Sequence, residues 1–164
     1  MVTPNETEWL DAAEQQIWAK LSTMILRLQP VLSARLQREF GISHFEYLMM
    51  ARLSEAPRST LRMSVLAALS GSSLPRLSQA VGRMEKHGWM SRQPDAEDSR
   101  YTVATLTSAG YRELQRIAPS HVKDVRAFVF DRLTQTQARQ LGVICQRILD
   151  GLPADETWPR TTSP

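Results

Sequence analysis

The segment Gly71–Tyr101 reads GSSLPRLSQAVGRMEKHGWMSRQPDAEDSRY and decides the fold. Ser72-Ser73 offers hydroxyl groups that can accept hydrogen bonds from free amides at a helix start, and Pro75 suits a first turn because it lacks an amide donor. The sequence therefore predicts a helix that begins near Leu74. His87-Gly88 ends it, because glycine is the usual residue just past a helix C-terminus.

Apolar residues recur at helical spacing along this helix, which predicts one buried face and one free face. The buried stripe consists of Leu77, Ala80, Val81, Met84 and Trp89. The free face carries Arg76, Ser78 and Gln79 within two turns of the helix start. An α-helix fits the DNA major groove, where such side chains can form hydrogen bonds with base edges. An ordinary solvated surface explains the same residues equally well, so the helix alone leaves both interpretations open.

A β-hairpin is predicted directly after the helix. Residues 89–92 favour a short strand, residues 93–100 a polar loop and residues 101–106 an alternating return strand. A helix followed at once by a charged hairpin is typical of a winged helix-turn-helix. Arg100 on the hairpin can enter the narrow minor groove, whose negative potential attracts guanidinium groups. Asp98 is expected on the same strand face, where its carboxylate can orient Arg100.

Three short runs together resemble the MarR family, the multiple antibiotic resistance regulators. Residues 85–90 (EKHGWM), 98–100 (DSR) and 106–110 (LTSAG) match the family's LEKKGLV, its DxR wing and its LTxxG. The similarity covers residues 43–114 in motif detail and the rest of the chain in helical layout. It implies a mainly α fold with a small β-hairpin wing, in which N- and C-terminal dimerisation helices flank a winged helix-turn-helix. The run RLSQ at residues 76–79 departs from the family's frequent TVTR, so the operator sequence is not implied.

The resemblance assigns DNA contacts residue by residue. The recognition-helix contacts map onto Pro75, Arg76, Ser78, Gln79 and Arg83. The wing arginine maps onto Arg100 and its supporting aspartate onto Asp98. We expect Arg76, Ser78 and Gln79 to read bases, while phosphate contacts are expected from Arg83, Lys86 and Arg92.

The expected function is that of a sequence-specific transcriptional regulator that binds double-stranded DNA as a homodimer, as a repressor on a palindromic operator. The implied segments are an N-terminal dimerisation helix (1–42), the DNA-binding domain (43–106), C-terminal dimerisation helices (107–152) and a flexible tail (153–164). The alternative function is a helical dimer that binds a ligand or a protein without specific DNA recognition.

The resemblance also raises the question of an effector pocket, because family members often bind small aromatic acids or phenolics between the dimer helices and the DNA-binding head. The candidate pocket residues are Trp18, Tyr47, Met50 and Tyr111. Simple core packing explains each of them better than ligand binding does.

Outside the hairpin, apolar periodicity predicts helices. A helix start at residues 4–8 opens one long helix, or two that abut, with a kink at Pro30. This helix is too long to be buried by its own chain, so part of it is expected at a subunit contact. A capping box of Ser43 and Glu46 is expected to begin a central helix over residues 44–54.

Two further helical regions complete the layout. Residues 61–69 predict the first helix of the helix-turn-helix, with Ser59 or Thr60 as its cap. After the hairpin, Thr107 or Ser108 caps a helix that keeps its phase through a kink at Pro119. Thr134 opens the last helix.

Length and charge fit this interpretation. The chain has 164 residues and an apolar content of 42%, enough for the core of one domain. Its net charge of +3 is modest, but residues 52–92 hold seven basic residues against two glutamates, whereas residues 1–18 hold four acidic residues and no Lys or Arg. Basic charge is therefore concentrated in the proposed DNA-binding part.

Catalytic and metal-binding patterns are absent from the sequence, so neither an enzyme nor a cofactor is expected. His44, His87 and His121 lack partners at metal-ligand spacing, and no phosphate loop or nucleophile motif is present. Cys145 is a candidate thiol sensor, but packing on an apolar helix face is favoured. We expect a cytoplasmic protein, because there is neither a signal peptide nor an apolar run of about 18 residues.

Overall fold

The computed structural model describes residues 8–152. Most of the expected helix start at residues 4–8, and the whole of the tail at residues 153–164, lie outside this range. Within the range, a mainly helical chain carries one small antiparallel sheet, which confirms the predicted fold class. The helices are α1 (Ala12–Phe40), α2 (His44–Glu55), α3 (Met63–Leu69), α4 (Leu74–Lys86), α5 (Ser108–Phe128) and α6 (Gln135–Gly151). The strands are β1 (Thr60–Arg62), β2 (Met90–Pro94) and β3 (Thr102–Leu106).

Helix α1 begins later than the sequence suggested, because Asp11 is its N-cap. The Asp11 carboxylate accepts hydrogen bonds from the first-turn amides, and the Asp11 amide in turn donates to the Glu14 carboxylate, which completes a capping box. The helix then continues as one element through Pro30. It ends at Gly41, whose φ of 72° is a conformation that glycine adopts without strain.

Helix α2 lies at the centre of the core, as its apolar composition predicted. Ser43 and Glu46 form the expected capping box at its start. Met49, Met50 and Leu53 are fully buried and pack with residues from α3, α4 and the sheet. Residues 43–106 therefore contribute most of the hydrophobic core.

The start of the helix-turn-helix differs from the sequence prediction. Thr60–Arg62 is not helical but forms strand β1, and neither Ser59 nor Thr60 caps α3, which begins at Met63 without a side-chain cap. Strand β1 pairs antiparallel with β3, and the sheet order is β1-β3-β2. This segment is extended because β3 offers it a free edge of backbone hydrogen-bonding groups.

The hairpin of β2 and β3 forms the wing. Its register pairs Met90 with Leu106 and Pro94 with Thr102, so β2 begins one residue later and ends two residues later than predicted. Residues 95–101 make the connecting loop. Gly88, with a φ of 71°, ends α4 as predicted and turns the chain into the wing.

Helices α5 and α6 begin at the expected residues. Thr107 caps α5, which runs through Pro119 without a break, and Thr134 caps α6 in a capping box with Gln137. No residue of α6 is buried. Its exposed apolar side chains are Val143, Ile144, Ile148 and Leu149.

Candidate nucleic-acid interface

Helix α4 presents a polar face because its apolar stripe is buried against the core. Leu77, Ala80, Val81 and Met84 have at most 1% of their surface exposed. The predicted contact residues of this helix that are exposed are Pro75, Arg76, Gln79, Arg83 and Lys86, while Ser78 is half-buried. The apolar face of α4 is thus packed against the core, and its polar face is exposed.

The start of α4 lacks the cap that its sequence suggested. Ser73 occupies the N-cap position, but its side chain makes no capping hydrogen bond. The Ser72 hydroxyl donates to the Ser73 carbonyl at 3.3 Å instead. The first amides of α4 therefore have no side-chain acceptor among the described residues, and Pro75 lies in the first turn as expected.

The wing carries its arginine in a preset orientation. Asp98 accepts hydrogen bonds from Arg100 Nε at 2.9 Å and Nη2 at 2.6 Å, and also from the Arg100 amide at 3.1 Å. The Arg100 side chain is 83% exposed. The expected pairing is present, but both residues lie in the loop, not on a strand face, because the wing strands end at Pro94 and resume at Thr102.

Two residues at the base of the wing escaped the sequence analysis. Arg62, at the end of β1, places its Nε 2.6 Å from Asp95 Oδ2 and its guanidinium carbon 4.4 Å from the centre of the Tyr101 ring. The Asp95 amide donates to the Tyr101 carbonyl at 2.9 Å. Arg62 and Asp95 are 33 residues apart, so no local pattern links them.

Arg92, on strand β2 of the wing, contacts helix α4. Its Nε and Nη2 donate to Glu85, and its Nη1 donates to the Ser78 hydroxyl at 3.0 Å. A Cβ on Gly82 would lie 3.7 Å from Arg92 Nη2. The guanidinium thus lies along α4, with partners on all three of its nitrogens.

Arg83 and Arg76 both reach towards α2. Arg83 Nε donates to Glu46 Oε1 at 2.8 Å, although its side chain is 57% exposed. The Arg76 guanidinium carbon lies 4.9 Å from the centre of the Phe45 ring. Both residues are nevertheless exposed.

Hydrogen bonds keep the carboxylates of this surface ionised. The pKa of Glu85 is lowered by its bonds from Arg92, and that of Asp98 by its bonds from Arg100. Burial raises the pKa of Glu46, but bonds from Ser43 and Arg83 outweigh burial, and the net shift is downward. These pairs therefore persist at neutral pH.

The four candidate pocket residues do not come together in the protomer. Tyr47 and Met50 are buried in the core, whereas Trp18 is 58% exposed on α1 and Tyr111 is 46% exposed on α5. A cleft between α1, α2 and α4 contains none of the four. It is lined by Gln29, Pro30, Ser33, Ser43, His44, Phe45, Arg76, Gln79, Ala80 and Arg83.

The three histidines each contact another aromatic ring. His44 and His121 lie with ring centroids 5.1 Å apart, and Tyr47 lies 4.2 Å from His121. His87 stacks on Trp89. Residues 8–152 contain no group of three or more His, Cys, Asp or Glu side chains that could hold a metal ion.

Cys145 is exposed on α6 in the protomer, so its expected packing role would need a partner chain. Among the described residues, no helix combines the length and the hydropathy that a membrane span requires.

Comparisons with known proteins agree with the wing motifs. Residues 42–102 match the model of the MarR family. The transcriptional repressor MprA of Escherichia coli K12 is 24% identical over 112 residues, which cover 68% of this chain and 63% of MprA, less than two thirds of that relative. The HTH-type transcriptional regulator PecS of Dickeya dadantii is 25% identical over 140 residues, or 84% of each chain.

Solved structures extend the likeness to the outer helices. Sco3205, a MarR family transcriptional regulator from Streptomyces coelicolor crystallised with DNA, is 41% identical with a TM-score of 0.87, covering 94% of this chain and 99% of that one. AbsC, of the same family and organism, is 31% identical with a TM-score of 0.83, covering 91% and 100%. Because both alignments cover almost the whole chain, the similarity is not confined to the wing.

Proposed function

The chain belongs to the MarR family of transcriptional regulators and is not an enzyme, and from that premise we propose that it is a repressor that binds a palindromic operator as a homodimer. Repression is supported by the name of the relative MprA, and DNA binding by the DNA complex of Sco3205. A location in the cytoplasm is part of the proposal, since the operator must be accessible.

One observation carries the DNA-binding proposal. Ser78 on the recognition helix and Arg100 on the wing line the same groove, which Leu74, Tyr101 and Thr102 also border. A helix in the major groove and a wing arginine in the adjacent minor groove would use that arrangement.

We assign different tasks to the contact residues according to the partners they already have. Arg76 and Gln79 are exposed and free to read bases. Ser78 accepts from Arg92, which leaves its hydroxyl proton for a base or a phosphate. The remaining proposed polar contacts are to phosphate, from Arg83, from Lys86, and from Arg92 only where a phosphate shares its N–H groups. Pro75 has no N–H group to donate, so its proposed contact with DNA is by packing alone.

Dimerisation is supported by apolar surface that the protomer leaves open. A groove along α1 is lined by Met24, Leu28, Val31 and Phe128 of α5 among others. Helix α6 has 17 residues and buries none of them, although most helical stability in proteins comes from packing of an amphipathic face. We propose that residues 1–42 and 107–152 dimerise around a two-fold axis, which sets the two DNA-binding domains (43–106) about one DNA turn apart.

Release by a small aromatic ligand completes the proposal. The cleft between α1, α2 and α4 includes Arg76 and Arg83, so a ligand there would compete with DNA for both side chains. Trp18 and Tyr111 are exposed in the protomer and would line a pocket only where the partner chain covers them.

The alternative is a helical dimer that binds a ligand or a protein without reading DNA. It leaves the wing unexplained. Asp98 fixes the orientation of Arg100, yet the Arg100 side chain is 83% exposed and therefore does not pack in the core.

A selection experiment tests the proposal. The purified protein is incubated with a pool of genomic fragments at two salt concentrations, and the retained fragments are sequenced. We expect enrichment of a short inverted repeat, and we expect Arg100→Ala to retain less of it at both salt concentrations. Salt-sensitive retention without sequence preference would favour the alternative.

A further inference from the structure

We propose that Arg62 is a positioning residue for the minor-groove contact: it clamps both ends of the wing loop and so presets Arg100 for DNA. This inference rests on the proposed DNA-binding function.

The clamp is visible in the contacts of Arg62. Its Nε donates to Asp95, the first residue of the loop, at 2.6 Å. Its guanidinium lies over the ring of Tyr101, the last residue of the loop, at 4.4 Å. Because Asp95 and Tyr101 also share a backbone hydrogen bond of 2.9 Å, Arg62 ties the closed end of the loop to β1.

The clamp continues to the wing arginine through the loop itself. Asp95 Oδ1 accepts from the Glu97 amide at 3.0 Å, and the Tyr101 amide donates to the Asp98 carbonyl at 3.0 Å. The carboxylate of the same Asp98 binds Arg100. Arg62 is therefore connected to Arg100 through contacts within the loop. It packs on Tyr101, the Tyr101 amide binds the Asp98 carbonyl, and the Asp98 carboxylate binds Arg100.

Arg62 is itself poorly placed for a DNA contact. Its side chain is 37% exposed, against 83% for Arg100, and its Nε is bound to a carboxylate that is 12% exposed. The pKa of Asp95 is lowered by its bond from the Glu97 amide and then by Arg62, so the pair is ionised at neutral pH. A loop held in this way has less conformational entropy to lose when Arg100 enters the groove.

A direct phosphate contact by Arg62 is the competing explanation, and Asp95→Asn separates the two. If Arg62 binds phosphate, the substitution removes a nearby negative charge and frees the guanidinium, so DNA affinity rises. If Arg62 is a clamp, the same substitution loosens the loop, so affinity falls although a repulsive charge has gone.

The experiment measures fluorescence anisotropy on a labelled inverted-repeat duplex recovered in the selection described above. Arg62→Ala, Asp95→Asn and Arg62→Lys are each made in the wild type and in the Arg100→Ala background. Arg62→Lys keeps the charge but loses the flat guanidinium that stacks on Tyr101. Circular dichroism and thermal unfolding confirm that each variant is folded. If Arg62→Ala does not fold, Asp95→Asn tests the clamp in its place.

We expect Arg62→Ala and Asp95→Asn each to weaken binding roughly tenfold, as loss of one base-groove contact does, and Arg62→Lys to weaken it less. In the Arg100→Ala background the same changes should have an effect of less than about twofold, because the contact they position is gone.

Tighter binding by Asp95→Asn, or an undiminished loss in the Arg100→Ala background, would overturn the clamp. So would unchanged affinity in Arg62→Ala and Asp95→Asn when Arg100→Ala weakens binding, and this result would leave the proposed function intact. A wild type that recovers no inverted repeat, and that Arg100→Ala does not change, would overturn both.

Discussion

Replacing Gly110 with alanine tests how the wing is joined to α5. Gly110 lies in the first turn of α5 and is buried. A Cβ at this position would lie 2.1 Å from the Trp89 carbonyl oxygen and 2.7 Å from Leu106 Cδ1. Because real Cβ atoms do not approach other atoms within 3.0 Å, the backbone of α5 or of Trp89 must move by about 1 Å.

The displaced atoms belong to one hydrogen-bonded joint. The Trp89 carbonyl accepts the Thr107 amide at 3.0 Å, and Thr107 Oγ1 donates to the Gly88 carbonyl at 2.7 Å while it accepts the Gly110 amide at 3.0 Å. Loss of a cap costs about 0.5–2 kcal/mol, and overpacking costs about 1–3 kcal/mol. Alanine regains roughly 1 kcal/mol of helix propensity. We therefore expect Gly110→Ala to lower the free energy of unfolding by about 0.5–4 kcal/mol.

Urea denaturation followed by circular dichroism, at one fixed protein concentration, measures this change. Gly82→Ala is the matched control, because its Cβ would meet only Arg92 Nη2 at 3.7 Å, an ordinary contact. The control should be neutral or stabilising by up to about 1 kcal/mol. If Gly110→Ala is as stable as Gly82→Ala, the steric explanation of this glycine is wrong.

Three further predictions address the bases, the subunit contact and pH. Gln79→Ala should relax preference at one position per half-site by roughly 1–3 kcal/mol, measured by binding to a set of single-base operator variants. Ile148→Glu places a charge on the exposed apolar face of α6. If the proposed dimer forms through this face, sedimentation should show a monomer at concentrations where the wild type is associated. Burial and the charge of His121 lower the pKa of His44 to about 4. The unfolded chain, with its His pKa near 6.5, therefore binds more protons than the folded one between pH 6.5 and 4. The contribution of His44 to the free energy of unfolding should therefore be fully present above about pH 6.5. It should fall by about 1 kcal/mol by pH 5, a figure that allows for solvent screening. His44→Gln should flatten this decrease in pH-dependent urea denaturation.

Local chemistry made much of the fold predictable. The capping box at Ser43, the stop at Gly88 and the cap at Thr107 each depend on residues within four positions of one another. Four of the five predicted stripe residues repeat at helical spacing on α4 and are buried as expected, whereas Trp89 lies beyond the helix and is only partly buried. Such features are set by neighbouring residues, so the sequence alone indicates them.

Strand β1 was not predictable in the same way. A three-residue strand is too short for a periodic pattern, and residues 61–69 have the composition of a helix. Its conformation comes from pairing with β3, including a 2.9 Å hydrogen bond between Thr60 and Thr105. That pairing joins residues 45 positions apart and overrides the local helix propensity.

The same limit affects how the basic charge of the DNA-binding part is read. Sequence reasoning counts seven basic residues between positions 52 and 92 as available cations. The structure places four of them in ion pairs, Arg52 with Glu55, Arg62 with Asp95, Arg83 with Glu46 and Arg92 with Glu85. The other three are Arg58, Arg76 and Lys86, none of which has a carboxylate within 4.0 Å among the described residues.

Guanidinium groups that are already neutralised release fewer counterions from DNA, because their own carboxylates must first be displaced or remain near the phosphates. If only the three unpaired cations of each protomer release counterions, at about 0.9 per neutralised phosphate, a plot of log affinity against log salt has a slope of about −5 for a dimer. Such a value would count against the phosphate contacts proposed above for Arg83 and Arg92. Seven cations per protomer would give about −13. Titration of the operator at several salt concentrations distinguishes these values. A slope near −13 would mean that the ion pairs open on DNA, and that the carboxylates serve to hold the arginines in place only until DNA arrives.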